Sequence, residues 1–351
     1  MDRYIGLDVH ATTTTMAIIG PSGKRIGTRV VETNGKALVE ALRAIPGARH
    51  VCLEECTQAE WLWEILKPYS DELVVTTVPE SRGPKSDARD AFGLAERLRS
   101  RDIETTVFKD VATFAGLREL NRLYTRIVGD VVRTKNRLKS LFLSRGIETA
   151  DGSLYAESHQ QAWLRKLPTA KRAAAETYFA ELTALTELRD QVEADLLREA
   201  GKHPIGKKLQ TCPGIGPIRA AQIMAVVVTP YRFRTRRQFW AYCGLGIVMR
   251  SSSDWVRDPS SRKWVRANVQ STRGLNLNRN AVLKQVFKGA ATTVGAQRNT
   301  PLSLQFQRLL ENGVKPNLAK LTLARRIAAI VLTLWKKNEE YDPTKHRKQD
   351  A

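Results

Sequence analysis

Near residue 110 the hydrophobic period of this 351-residue chain changes, so two different architectures must share it. Before the change, Arg3–Val9, Thr13–Ile19 and Arg25–Val31 read as strands, the last two joined through the turn residues Pro21-Ser22-Gly23-Lys24. Lys36–Ile45 places Ala37, Leu38, Ala41, Leu42 and Ile45 at helical spacing. His50–Glu54 and Leu73–Val78 are further strands, with helices expected over Ala59–Leu66 and from about Asp87 to Arg99. This β-β-β-α-β-α-β-α order predicts an α/β domain, a mixed sheet with helices packed on it.

After the change, Leu117, Leu120, Tyr124, Ile127, Val131, Thr134, Leu138 and Leu141 follow alternating three- and four-residue steps. Arg118, Arg122, Arg126, Arg133 and Arg137 lie off that seam. A second long helix, about Ala170–Glu199, carries Leu182, Leu185, Leu188, Val192 and Leu196 on one stripe, and the polar, turn-like residues Gly146–Ser158 separate the two. The pattern predicts a helical hairpin or coiled-coil arm whose use is oligomerisation; an ordinary two-helix layer packed on its own domain is the alternative. From about Ile205 the chain reads as mainly α, with Leu209–Val228 around Pro213-Gly214-Ile215-Gly216-Pro217 and helices over Ala281–Thr292 and Leu318–Lys337. Between them lies a Ser/Arg-rich segment, 250–273, with little periodicity. The expected domains are therefore 1–110, 111–204 and 205–351.

Charge divides along the same lines. The net charge is +21. Residues 1–110 hold 15 basic and 17 acidic side chains, residues 111–204 hold 15 and 12, and residues 205–351 hold 27 and 7. A field concentrated in one third of the chain attracts polyanions, and nucleic acid is the default partner. A membrane span is excluded, because no run of ~18 apolar residues occurs. The longest apolar stretch, Ile327–Trp335, is interrupted by Thr333 and preceded by Arg325 and Arg326, which fits a buried helix. No signal-peptide pattern is evident. Cys52, Cys56, Cys212 and Cys243 make neither a disulfide scaffold nor a paired zinc motif, so buried reduced thiols and a cytoplasmic location are expected.

Four acids in the first domain invite chemistry. Asp8 interrupts the apolar strand Tyr-Ile-Gly-Leu-Asp-Val-His, where an unpaired carboxylate is unfavourable and should find a partner or a metal. Glu54 and Glu55 close the fourth strand, and Asp87 and Asp90 share a face at the start of a helix. Acids converging at one sheet edge would suit Mg²⁺, and two ions ~3.5–4 Å apart steady both oxygens of a phosphodiester displacement. The helix dipole alone also favours Asp87 and Asp90 where they stand.

In the basic region, Gly214-Ile215-Gly216 between apolar helices has the form of a helix-hairpin-helix, whose backbone N–H groups approach a phosphate. A tight interhelical turn is the alternative. Arg250-Ser251-Ser252-Ser253-Asp254-Trp255 reads as a phosphate-contacting loop. A serine nucleophile there would need activation. Arg250, Arg257, Arg262 and Arg266 supply positive charge, but no general base stands near, and the five histidines form no triad order.

Together these segments resemble bacterial transposases of the insertion-sequence one-ten family, the DEDD transposases also described as bridge-RNA-guided recombinases. The resemblance rests on Tyr-Ile-Gly-Leu-Asp-Val-His, Val-Cys-Leu-Glu and Lys-Ser-Asp-Ala-Arg-Asp-Ala in the first domain, then Cys212-Pro-Gly-Ile-Gly-Pro, Phe239-Trp-Ala-Tyr-Cys-Gly-Leu and the serine cluster. It implies a ribonuclease-H/resolvase-like first domain with a metal-binding tetrad of Asp8, Glu54, Asp87 and Asp90, Glu55 being the alternate to Glu54. It also implies Mg²⁺, or Mn²⁺ in its place, and a serine nucleophile at Ser252, with Ser251 and Ser253 as alternates. Where the family usually shows Ser-Gly, this chain has Ser-Ser-Ser-Asp-Trp. The implied partners are donor and target DNA, an element-encoded guide RNA and further copies of the chain as a dimer or tetramer, in the nucleoid-associated cytoplasm. Two rival readings are a Mg²⁺-dependent, Holliday-junction-like endonuclease without serine chemistry, and a nucleic-acid-binding protein without catalysis.

Overall fold

Short apolar runs, buried on both faces in the central strands, build one sheet with a helical layer on each side. The computed structural model describes residues 1–77, 86–103, 106–107, 113–149, 152–249, 255–258, 260–266, 272–298 and 300–345. It divides into two compact units, Met1–Thr113 and the remainder from Phe114.

In the first unit the strands are β1 (Asp2–Val9), β2 (Thr13–Ile19), β3 (Arg25–Glu32), β4 (Ala48–Glu54) and β5 (Glu72–Thr76). They lie in the order β3-β2-β1-β4-β5, antiparallel from β3 to β1 and parallel from β1 to β5. The helices are α1 (Gly35–Arg43), α2 (Ala59–Leu66) and α3 (Asp87–Ser100). Period-two alternation assigns the faces. Ile5, Leu7, Met16, Ile18, Val51 and Leu53 pack with Leu38 and Leu42 of α1 and Leu62 and Leu66 of α2. On the other face Cys52 packs against Leu94 and Leu98 of α3. Asn34 caps α1, its side chain accepting from the Ala37 N–H at 2.8 Å.

Gly6 fixes how close α3 comes. A Cβ built there would stand 1.8 Å from the Ala91 carbonyl oxygen and 2.8 Å from the Ala95 nitrogen. Only glycine opposite two alanines allows this backbone-to-backbone approach. The sequence reading of this unit agrees with the structure to within a few residues at each element end.

The second unit is mainly helical. Its first pair is α4 (Ala115–Leu143) and α6 (Thr169–Gly201), with the short α5 (Gln160–Arg165) between them. The pair is antiparallel: the Tyr124 hydroxyl donates to Glu193 at 2.9 Å, and the Thr134 hydroxyl donates to Glu181 at 2.9 Å. Of the two forms expected for this seam, a helical hairpin or a coiled-coil arm, the chain folds the hairpin, with Leu117, Ile127, Val131, Leu138 and Phe142 buried on α4. Its α6 partners are Ala175, Phe179, Leu182, Val192 and Leu196. Leu188, expected on this stripe, is 48 % exposed because it sits one position off the line through the part-buried Leu185, Thr186 and Arg189. The segment expected to be merely turn-like contributes Leu154, which joins Trp163, Leu164 and Phe179 in a small separate core.

The larger core joins α7 (Ile205–Gln210), α8 (Pro217–Val227), α9 (Arg236–Tyr242), α10 (Ala281–Ala296), α11 (Pro301–Glu311) and α12 (Pro316–Lys337). Ile327, Ala328, Ile330, Val331 and Leu334 are buried on α12, as the apolar stretch implied. Among the described residues no helix is long and apolar enough to cross a membrane. Short strands lie in and around the Ser/Arg-rich segment read as aperiodic: β7 (Trp255–Arg257) pairs β8 (Trp264–Arg266) within it, and β6 (Ile247–Met249) pairs β9 (Thr272–Leu275) at its two ends. Cys52, Cys212 and Cys243 are buried free thiols, and Cys56 is part-buried. Burial pushes the Cys52 and Cys212 thiols up to about 12.

Gly6→Ala is expected to destabilise the fold by roughly 1–3 kcal/mol through overpacking, read as a lower midpoint in urea denaturation, whereas Gly27→Ala, where a Cβ meets nothing within 4 Å, leaves the midpoint near that of the parent.

Candidate metal centre and basic surface

The acids of the first unit meet because of strand parity. In the parallel pair β1–β4, Leu7 stands opposite Leu53, so Asp8 and Glu54, one step further on, share one face at one end of the sheet. Asp8 has the parity of Gly6, which lies beneath α3. Glu54 has the parity of Cys52, which packs against α3; Glu55 has the opposite parity, and its N–H donates to the Thr76 carbonyl at 2.8 Å. The close passage of α3 over Gly6 brings its first turn, with Asp87 and Asp90, to this same end.

Asp8, His10 and Asp87 each present one ligand atom, and these atoms lie within 4.8 Å of one another. His10 Nε2 stands 3.4 Å from Asp8 Oδ2 and 3.5 Å from Asp87 Oδ2. The imidazole sits between the carboxylates, where a cation would also sit. Burial, the first cause, holds the Asp8 carboxyl above its usual range; His10 opposes this, while the charges of Asp87 and Asp90 add to it. Asp90 therefore belongs to the electrostatic site, although neither it nor Glu54 joins the three-residue cluster. Glu54 is exposed.

The donor set fits a hard divalent ion: carboxylate oxygens on a rigid strand and a helix N-terminus, with water-accessible space for further ligands. An imidazole among them also suits Mn²⁺. His10 is the residue that sequence reasoning passed over. Its signal was parity, since it lies two residues beyond Asp8 as the chain leaves β1.

In the second unit, Gly214 takes φ +82°, and a Cβ there would lie 2.8 Å from the Ala290 carbonyl oxygen and from Val294 Cγ2. Its own carbonyl accepts from Arg219 Nη1 at 2.7 Å. The turn between α7 and α8 is thus engaged with α10, which accounts for Gly214 by packing. At Gly216, the N-cap position of α8, a Cβ would meet nothing. Arg257 and Arg262 are exposed on the β7–β8 hairpin, where Arg257 Nε donates to the Arg262 carbonyl at 3.2 Å. In its turn, hydrogen bonds from Ser260 and Ser261 lower the Asp258 carboxyl to about 2. Arg266 ends β8. Arg250, Ser251, Ser252 and Ser253 lie outside the described residues.

Because the folded state holds the Asp8 carboxyl above its ordinary value, it binds that proton more tightly than the unfolded chain does. Stability from this group is therefore present at low pH and lost as pH rises through the raised value. In metal-free buffer Asp8→Asn is expected to raise the melting temperature at pH 7, with the gain shrinking as pH falls to about 3, below the ordinary carboxylate value; thermal melts across that range check it.

Comparison with known proteins gives this geometry its setting. A family model described as "Transposase", that of the IS110 DEDD transposases, matches residues 5–145. A second, "Transposase IS116/IS110/IS902 family", matches residues 206–273. The chain is also similar to "Putative transposase y4pF/y4sB" of Sinorhizobium fredii, with 24% identity over 306 residues, covering 83% of this chain and 74% of that protein. The two models run in order along the chain, the first containing all four acids and the second both glycines and the serine cluster. The chain belongs to the IS110 family of transposases, which implies DNA transposition and recombination.

Proposed function

We propose that the chain cuts and rejoins DNA through a serine–DNA covalent intermediate, assisted by a divalent metal held by Asp8, Glu54, Asp87 and Asp90. The observation that carries the metal half of this reading is the meeting of Asp8, His10 and Asp87 within 4.8 Å at the sheet end that also bears Glu54. When bound, Mg²⁺ or Mn²⁺ supplies positive charge to the scissile phosphate. Asp8 and Asp87 hold it, and Glu54 and Asp90 complete the oxygen ligands. Glu54 is preferred to Glu55 because it shares the face of Asp8. His10, within 3.4 Å of Asp8 and 3.5 Å of Asp87, offers a further nitrogen ligand beside them.

The Ser252 hydroxyl attacks the phosphodiester phosphorus. A phosphoserine bond forms, the bond to the 3′ oxygen breaks, and the leaving 3′ oxygen takes up a proton as the serine loses its own. Reversal onto a second 3′ end reseals the strand without an outside energy source, since the covalent link conserves the bond. Arg250, Arg257, Arg262 and Arg266, with the α7–α8 turn at Gly214 and Gly216, grip the phosphate backbone. Target and donor choice come from pairing with an element-encoded RNA, and two or more copies of the chain hold the two DNAs in the cytoplasm, near the nucleoid. The domain plan 1–110, 111–204 and 205–351 then separates metal chemistry, helical arm and backbone grip.

The rival endonuclease reading uses the same acids with activated water and leaves the serine idle. Purified protein with bound RNA, given donor and target DNA plus Mg²⁺, is expected to yield recombinant junctions and a covalent protein–DNA adduct. Asp8→Asn should lower junction formation at least ~100-fold. Ser252→Ala should abolish the adduct; if Ser251→Ala, Ser252→Ala and Ser253→Ala all keep recombining, the serine step is wrong. Hydrolysed ends without junctions would favour the endonuclease.

Millimolar Mg²⁺ is also expected to raise the melting temperature of the parent chain and not that of Asp8→Asn, the signature of an ion bound by the folded state alone.

A further inference from the structure

A cavity of about 640 Å³ opens in the second unit beside α9, α11 and α12. Along α12, Thr322, Arg326, Ala329, Thr333 and Lys337 recur at three- and four-residue steps, so one face of the helix is turned into it. Ile330 and Leu332 are 4% and 5% exposed and, with the part-buried Trp240 of α9, give the cavity an apolar floor. The Trp240 ring is held in place, its Nε1 donating to the Arg325 carbonyl at 2.8 Å.

Around the floor stands a ring of positive charge. Six lining residues are basic, among them Arg236, Arg325, Arg326 and Lys337, and the single acid Glu339 is already paired with Lys345 at 3.4 Å. Arg325 Nε donates to the Leu245 carbonyl at 2.7 Å, while its Nη2 is buried with no hydrogen-bond partner among the described residues. So many like charges about one concavity repel each other, and an anion entering it relieves them all.

The two halves of the lining together specify the ligand. Bare phosphate would satisfy the cations and leave the apolar floor uncovered. An aliphatic ligand would cover the floor and bring no counter-charge to the basic ring. A nucleotide has a flat apolar face and an anionic group one sugar away. The volume falls within the ~300–1,000 Å³ of single-ligand sites and is too small for a duplex.

We propose that this cavity holds one unpaired nucleotide of a nucleic-acid strand, its base against Trp240 and Ile330 and its phosphates on Arg236, Arg326 and Lys337. This rests on the reading that the basic unit grips nucleic acid. It adds that the grip includes a seat for a base out of its stack, as at a strand end or a nick.

Fluorescence anisotropy with the full chain tests it, using a labelled blunt duplex, the same duplex with a one-nucleotide overhang, and the same overhang made abasic. The overhang is expected to bind about tenfold tighter than the other two, the effect of one stacked base. In Thr333→Trp, which fills the cavity, the ratio of overhang to blunt affinity should fall to about one. A circular-dichroism melt checks that this variant folds. Independently of any variant's folding, in the parent chain labelled with 5-fluorotryptophan, the ¹⁹F resonance assigned by Trp240→Phe should shift on titration with adenosine monophosphate and not with inorganic phosphate. Equal affinity for all three duplexes with a silent Trp240 resonance would overturn the seat while leaving backbone binding intact. Failure to bind any duplex would overturn the nucleic-acid reading of the basic unit as well.

Discussion

Everything proposed for the first unit depends on one close contact, the passage of α3 over Gly6. A sheet and a helix usually stand apart by the length of their side chains, but here Gly6, Ala91 and Ala95 remove those side chains at the crossing. The approach fixes α3 against β1 along its length as well as across it. Its first turn thereby reaches the end of β1, and Asp87 stands close enough to Asp8 for one imidazole to meet both. The candidate metal centre, Asp8 with His10 and Asp87, is thus positioned by residues that lie outside it. The raised Asp8 carboxyl is the electrostatic consequence, since a partly buried acid has been drawn beside two others.

Much of this was legible in the linear chain. β-branched apolar runs mark strands and helical spacing marks helices, and β2 and α2 fall where those patterns put them, at Thr13–Ile19 and Ala59–Leu66. The acids were legible for a related reason: a carboxylate in an apolar strand, as at Asp8, contradicts its surroundings and so draws notice. His10 carried no such contradiction, because a polar residue at a strand end is ordinary, and only the fold reveals that it faces Asp87. The α4 seam was readable as a seam but not as to its partner. Heptad spacing states that a helix buries one stripe, and it is silent on whether the covering helix, here α6, belongs to the same chain. The α9–α12 groove was invisible for a different reason. Trp240 and Arg326 lie 86 positions apart, and no local period links residues that share a cavity only through tertiary packing.

The two units also handle charge differently. Around Asp8 negative groups are gathered against their mutual repulsion, and around Trp240 positive ones are. In each place folding has concentrated like charge at a concave or strand-end position, where the complementary charge of a ligand is worth most. Gly214 shows the converse. A glycine that reads as a ligand-binding signature is accounted for by its contact with Ala290 and Val294, so the phosphate grip proposed for that turn falls to the N–H groups near Gly216 and to the arginines around it.

The burial of the cysteines has a practical side. Three thiols are enclosed in apolar packing, and burial pushes the proton affinity of all three far above neutrality, so they offer little thiolate to an oxidant or an alkylating reagent. Cys56, two residues beyond Glu54, is the part-buried exception. The native chain therefore carries its own address for a thiol-directed probe just beyond β4, against the α1–α2 core, with no engineered cysteine and no competing sites to remove.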